Sequence, residues 1–270
     1  SLGRVPIDPP YVGRVTGPMT RTVDDAALLM SVLSQPDPRD GMSLPPADID
    51  WPALEVSLKG KRIGLMLDLG FGDRLEGDVR ATVTAAARAF ESAGASVRDV
   101  SGVMTRETLD GLDAFWRARS WDDLSRMPPE VRAKALPYIY QWAEGGAKLS
   151  GVDVVRGFNA TMTIRAAAAQ LFADLDYVIS PVSPVVKFAA ENAAPGNDPQ
   201  KPFEHIVYTV PWNMAENPAA SINGGYDVDG FPIGVQIIGR RFDDLGVLRM
   251  AKAFEDLRGP QKPWPVPPNN

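Results

Sequence analysis

One histidine, His205, and no cysteine stand among the 270 residues, and that scarcity bounds the chemistry. Without cysteine there is no disulfide, no thiolate nucleophile and no cysteine-ligated zinc site. A single imidazole excludes multi-histidine metal centres, and a Ser/His/Asp triad could use only His205. Its neighbours Phe203, Glu204 and Ile206 include no nucleophile, so His205 reads as structural. No serine stands in G-x-S-x-G or S-x-x-K, the compact signatures of an activated serine. Gly70-Phe71-Gly72 opens like a dinucleotide fingerprint, but residue 75 is Leu where the third glycine belongs. Gly60-Lys61 lacks an upstream glycine at phosphate-loop spacing. The expectation is therefore no metal and no cofactor. Paired carboxylates occur at Asp24-Asp25, Asp122-Asp123 and Asp243-Asp244. The first and third precede helical patterns, where negative charge suits the helix N-terminus, and they read as caps.

Charge and composition exclude further classes. Lys and Arg number 28 against 34 Asp and Glu, a formal net of -6, with no basic block of the kind that tracks phosphates. The six tryptophans, Trp51, Trp116, Trp121, Trp142, Trp212 and Trp264, lie scattered without basic interleaving and read as core or pocket wall. Nucleic acid is not expected as a partner. No apolar run reaches the roughly 18 residues of a membrane span, and no signal pattern opens the chain. The chain is expected to work away from membranes, in the cytoplasm. It opens at Ser1 without an initiator Met, and the expectation is a piece of a longer chain.

The elements that must position any site follow from spacing. Prolines and glycines forbid regular structure over the first twenty residues. Thr22 and Asp25 make a capping pattern for a helix whose apolar positions are Ala26, Leu29, Met30 and Leu33. A proline-rich connection fills 37–60. Residues 62–67 read as a buried strand, and Val79, Val83, Ala86 and Phe90 mark a helix that Gly94 closes. Residues 95–100 read as a second strand, giving a β-α-β unit with parallel pairing. The stretch 104–173 is helical in texture. Its best element opens at Ser150 with Asp153 and is expected to bury Val155, Phe158, Met162, Ala166, Ala169 and Phe172. A strand at 177–179 ends in Ser180-Pro181-Val182-Ser183-Pro184, where proline is expected to end pairing. A hairpin of 219–226 and 231–238 turns on Asp227-Val228-Asp229-Gly230. A last helix, 245–257, leads into a proline-rich tail.

Three stretches carry a family resemblance. The run Gly17-Pro18-Met19-Thr20-Arg21-Thr22-Val23-Asp24-Asp25-Ala26-Ala27-Leu28-Leu29, followed by Asp37-Pro38-Arg39-Asp40, resembles the segment after the catalytic core of amidase signature enzymes. The run Asp176-Tyr177-Val178-Ile179-Ser180-Pro181-Val182-Ser183-Pro184 is similar to a second family stretch. A third resemblance joins Asn213-Met214-Ala215-Glu216-Asn217-Pro218-Ala219-Ala220-Ser221 to Asp229-Gly230-Phe231-Pro232-Ile233-Gly234-Val235-Gln236-Ile237-Ile238-Gly239-Arg240-Arg241-Phe242-Asp243. Order and spacing agree over nearly the whole chain.

The resemblance implies an α/β fold with a mixed β-sheet flanked by helices, amidase-signature-like, with the N-terminal part of the fold missing and residues 1–270 forming one α/β domain. It implies an amide-bond hydrolase whose family uses a Ser/cis-Ser/Lys triad and glycine-rich oxyanion donors. In the family those groups lie upstream of the stretch that Gly17 opens here. No catalytic residue is therefore assigned within the chain, and the chain alone is expected to be inactive. Ser180, Ser183, Trp212 and Asn213 are the implied substrate-binding residues, near the acyl pocket; ordinary strand-end and helix-start structure is the rival reading. The implied substrate is a small acyl, aryl or peptide-like amide. A non-catalytic scaffold or interaction domain is the first alternative, and the glutamine-hydrolysing A subunit of a tRNA amidotransferase the second. Against the second, Leu149-Ser150-Gly151-Val152-Asp153-Val154-Val155-Arg156 lacks the tyrosines which that subunit carries at the corresponding helix start. Strands lost upstream would leave an uncovered edge, so a homo-oligomer or association with the missing N-terminal portion is expected.

Overall fold

The computed structural model describes residues 1–264 and Val266; the remainder of the proline-rich tail lies outside the described residues. Five strands form one mixed sheet in the order β2-β1-β3-β5-β4. β1 (Arg62–Leu65) pairs in parallel with β2 (Ser96–Asp99) and with β3 (Tyr177–Pro181). β5 (Pro232–Gly239) runs antiparallel to β3 and to β4 (Ala219–Tyr226). The expected β-α-β unit is present, with α2 (Gly77–Ser92) as its crossover. All four apolar positions read from the sequence, Val79, Val83, Ala86 and Phe90, are buried. Gly94 follows at φ 101°, a left-handed conformation that glycine adopts without steric penalty.

Side-chain alternation sorts the sheet into two cores. Ile63, Leu65, Tyr177, Ile179, Val235 and Ile237 point to one face, where α2 and α8 (Asp244–Leu257) pack, and Phe90 stacks on Phe254 at 5.7 Å. Met66, Val178 and Ile238 point to the other, under α6 (Gly151–Asp174) and α7 (Val210–Ala215). In the proline-rich stretch 37–60, Trp51, Leu54 and Leu58 join the first core. Pairing of β3 runs through Pro181, opposite Val235, one position beyond Ser180, and stops there. The hairpin turns as expected, with Gly230 at φ 91°. In β4 the register shifts between Asn223 and Gly225, a bulge that leaves Gly224 as the extra residue. A Cβ on Gly224 would lie 2.4 Å from Val235 Cγ2.

Two helices bury faces that the spacing predicted only in part, through Met30 and Phe172. In α1 (Val23–Leu33), Thr22 caps the Asp25 N–H as expected, but Val23, Ala27 and Met30 face the core and Leu29 and Leu33 are exposed. α6 departs more. Its Ser150/Asp153 capping box is formed, Phe172 is buried as expected and Phe158 half-buried, yet Val155, Met162, Ala166 and Ala169 lie on the solvent side, and Gly157, Ala160, Ile164 and Ala168 are buried. The cause is the approach of α3 (Arg106–Arg126), where a Cβ on Gly157 would sit 2.3 Å from the Gly111 carbonyl oxygen. Backbones that close require small residues at the seam, so the bulkier stripe is turned outward. α5 (Pro137–Glu144) packs beside α3, and the single turn α4 (Pro129–Arg132), with no buried residue, connects them.

Candidate functional site

β4 ends the sheet, and beside it lies a cavity of about 1180 Å³. Its walls are β4, the α7 residues Trp212 and Asn213, one side of α8, and the extended segment 15–22. α7 is a helix of 6 residues with Pro211 in its first turn. It ends at Glu216, held in the left-handed region at φ 63°, where a residue with a Cβ is strained. The buried Glu216 carboxylate meets both Arg165 of α6 and Arg241 beyond β5, which fastens this corner from two sides. Asn217 adds two donations, from its N–H to the Trp212 carbonyl at 3.0 Å and from Nδ2 to the Gly239 carbonyl at 2.8 Å. Trp212 is thus fixed in place. It is 1% exposed and packs edge-on to Phe172 at 6.1 Å, and its indole N–H meets no partner among the described residues. Asn213 donates from Nδ2 to the Gly13 carbonyl at 3.0 Å, joining α7 to the N-terminal segment.

The four residues named from the sequence separate. Trp212 and Asn213 border the large cavity. Ser180 is fully buried behind it, donating to the Pro181 carbonyl at 3.0 Å and accepting from Gln236 Nε2 at 2.8 Å. Ser183 lies at a smaller cavity of about 290 Å³ with Val79 and Val186, accepting from the Val185 N–H at 3.3 Å. The residue that sequence reasoning passed over is Gln236. Its Nε2 also donates to the Tyr208 carbonyl at 2.8 Å, so one side chain ties β5 to β3 and to the chain entering α7 while bordering the cavity. A lone amide amid Val235, Ile237 and Ile238 is the signal that could have found it, since a polar group in a buried strand must have partners.

The electrostatics divide the cavity wall. Asp244 is buried and accepts from Arg4 Nε at 3.1 Å. Arg21 and Lys262 meet no carboxylate among the described residues. The Arg21 guanidinium lies 4.9 Å from the Trp264 ring centroid, and the Lys262 ammonium 4.6 Å from that of Tyr226. His205 stands elsewhere, half-buried and 6.3 Å from Phe188, with its imidazole pushed down by burial. Among the described residues no hydrogen bond joins a serine or threonine hydroxyl to lysine or histidine. Nor does any group of three His, Asp or Glu converge as metal ligands there. No helix is long and apolar enough to cross a membrane among the described residues. The arrangement can hold a partly apolar guest against a fixed indole, with two amides and a strand edge nearby.

Comparisons with known proteins meet this geometry. The amidase family model matches residues 7–248. The A subunit of the glutamyl-tRNA(Gln) amidotransferase from Myxococcus xanthus is 31% identical over 264 residues, covering 88% of this chain and 54% of that protein. The acylamidase of Rhodococcus erythropolis is 28% identical over 254 residues, covering 92% and 52%. A bacterial aryl acylamidase of the amidase signature enzymes superposes with a TM-score of 0.80 at 28% identity, covering 95% of this chain and 57% of that one. The chain spans about half the length of the curated relatives it matches. The family match runs from the opening loop into α8, through β4, β5 and both α7 residues at the cavity, and the chain belongs to the amidase (amidase signature) family.

Proposed function

We propose that this chain supplies the pocket wall of an enzyme that hydrolyses an acyl, aryl or peptide-like amide, and that the Ser/cis-Ser/Lys machinery comes from residues outside these 270. One observation carries the reading: a cavity beside the outermost strand of the sheet is walled by Trp212, Asn213 and Gln236. In such a reaction a serine oxygen adds to the amide carbonyl and the C–N bond breaks. The amine leaves with a proton, and water then releases the acid from the acyl-enzyme. The part of this chain is to seat the acyl or aryl portion against the Trp212 wall and to keep water from it. The outer edge of β4 receives the polypeptide that carries the machinery, as an added strand; a second copy of the chain is the rival occupant.

The test compares two purified proteins, the 270-residue chain and a version extended by the coding sequence upstream of Ser1, on an anilide and on glutamine. The extended protein is expected to hydrolyse the anilide and the shorter one neither substrate. Anilide turnover by the shorter chain that survives serine-directed reagents would refute the placement of the chemistry. Loss of activity in both supports a scaffold. A second reading, glutamine hydrolysis, is favoured by the resemblance to the M. xanthus protein; glutamine turnover without anilide turnover selects it.

A further inference from the structure

We propose that residues 259–264 form a removable strap that closes the cavity at the far end of β4, latched by the stacking of Arg21 on Trp264. The strap begins where α8 stops. Gly259, at φ 79°, turns the chain back across the sheet edge. Arg258 Nη1 donates to the Asn223 carbonyl at 2.8 Å, which fixes the point of departure. Gln261 Oε1 then accepts from Asn223 Nδ2 at 2.7 Å and from the Tyr226 hydroxyl at 3.3 Å, and the Lys262 N–H donates to the Tyr226 oxygen at 3.1 Å. Beyond it Trp264, mostly exposed, meets Arg21 on the opposite wall. Segments 15–22 and 261–264 both border the cavity, so this one contact bridges its mouth.

The strap covers the edge without joining the sheet. Every β4 contact just described uses a side chain on at least one partner, and no backbone ladder forms between 259–264 and β4. Pro260 and Pro263 lack the N–H that a ladder requires, so the segment cannot settle into a permanent sixth strand. Proline and covering loops are recognised ways to shield a strand edge. Here the shield is held by a few side-chain hydrogen bonds and two cation–π contacts, Arg21 on Trp264 and Lys262 on Tyr226, with no backbone ladder to break before it opens. Its footprint, Asn223 to Tyr226, lies at the bulged end of β4 and leaves 219–222 uncovered. Entry along 223–226 therefore requires displacement of the strap.

The test uses N-phenyl-1-naphthylamine, a neutral probe that fluoresces in apolar cavities, so the loss of a cation does not change its attraction directly. Arg21→Gln, Trp264→Ala and a chain ending at Gly259 are compared with the parent, with circular dichroism and melting recorded for each. All three are expected to bind the probe more tightly, Arg21→Gln by about two- to fivefold, the shift that an exposed cation–π contact supports. The chain ending at Gly259 should show the largest gain. Adding Ala219→Trp to it, at an exposed position on the cavity wall, should return binding to the parent level. Unchanged binding in all three variants overturns the strap. So does a gain that Ala219→Trp leaves intact, because the probe is then elsewhere.

Discussion

Replacing Gln236 with leucine keeps the side chain's size and removes its donor, which isolates the function of one amide. Two acceptors lose their partner, Ser180 Oγ and the Tyr208 carbonyl, each 2.8 Å away and inside the fold. A buried acceptor left unpaired costs about 1–3 kcal/mol, or about 2–6 for the pair. Leucine recovers about 1–2 kcal/mol through apolar burial at a site only 5% exposed. The midpoints leave an expected loss of about 2.5 kcal/mol, read as a fall in melting temperature of about 5–10 °C for a chain of this size. Ser180→Ala removes one acceptor and leaves Gln236 bonded to Tyr208, so its loss should be about 1 kcal/mol. The double variant should lose less than the sum by about 1 kcal/mol, because the orphaned hydroxyl is gone. Urea unfolding followed by circular dichroism measures all three. A Gln236→Leu loss below about 0.5 kcal/mol, or strict additivity in the double variant, would refute the argument that Ser180 serves the frame and not the guest.

Three further outcomes follow from the packing. Tyr177 donates to Asp243 Oδ2 at 3.0 Å, and burial, reinforced by Asp243 and that hydrogen bond, pushes its phenol up. Its stabilising contribution is full below the ordinary tyrosine value near 10 and lost as pH rises through the elevated folded value. Stability measured from pH 9 upward should therefore fall less steeply in Tyr177→Phe than in the parent. Gly157→Ala adds a Cβ 2.3 Å from the Gly111 carbonyl, a backbone atom that cannot step aside. A net loss of about 1–3 kcal/mol is expected in urea despite better helix propensity, and a neutral or stabilising result contradicts the close seam. Glu216→Ala and Glu216→Gly both remove the charge between Arg165 and Arg241, but only alanine keeps a Cβ at φ 63°. The glycine variant should be the more stable by about 1 kcal/mol, and equal stability would mean the left-handed backbone had relaxed.

Sequence reading succeeded where one local rule decides. The steps from Val79 to Phe90, the Ser150/Asp153 box and the Asp-Gly turn each act within a few residues, and each appears as read. It failed on α6 because Val155 and Met162 satisfy helical spacing as well as Ile164 does. Only the distant Gly111 decides which side closes on α3. The same limit applies to α1, where Leu29 and Leu33 lose the core to Val23 and Ala27. At the candidate site, spacing could nominate Trp212 and Asn213 but could not show that Ser180 is bonded to Gln236 across 56 residues. Partners that far apart in sequence meet only through the antiparallel register of β3 and β5.

The bulge at Gly224 limits how this molecule can associate. From Ala219 the edge of β4 is regular through Ile222, and then the register slips and the far end is already occupied by Asn223 and Tyr226 contacts. Another molecule laid against it finds a ladder of four residues at most and then a backbone that turns away. Indefinite stacking needs a long flat edge that each added copy reproduces. This edge offers a terminus. Growth from it is expected to stop at a finite complex instead of propagating as a filament.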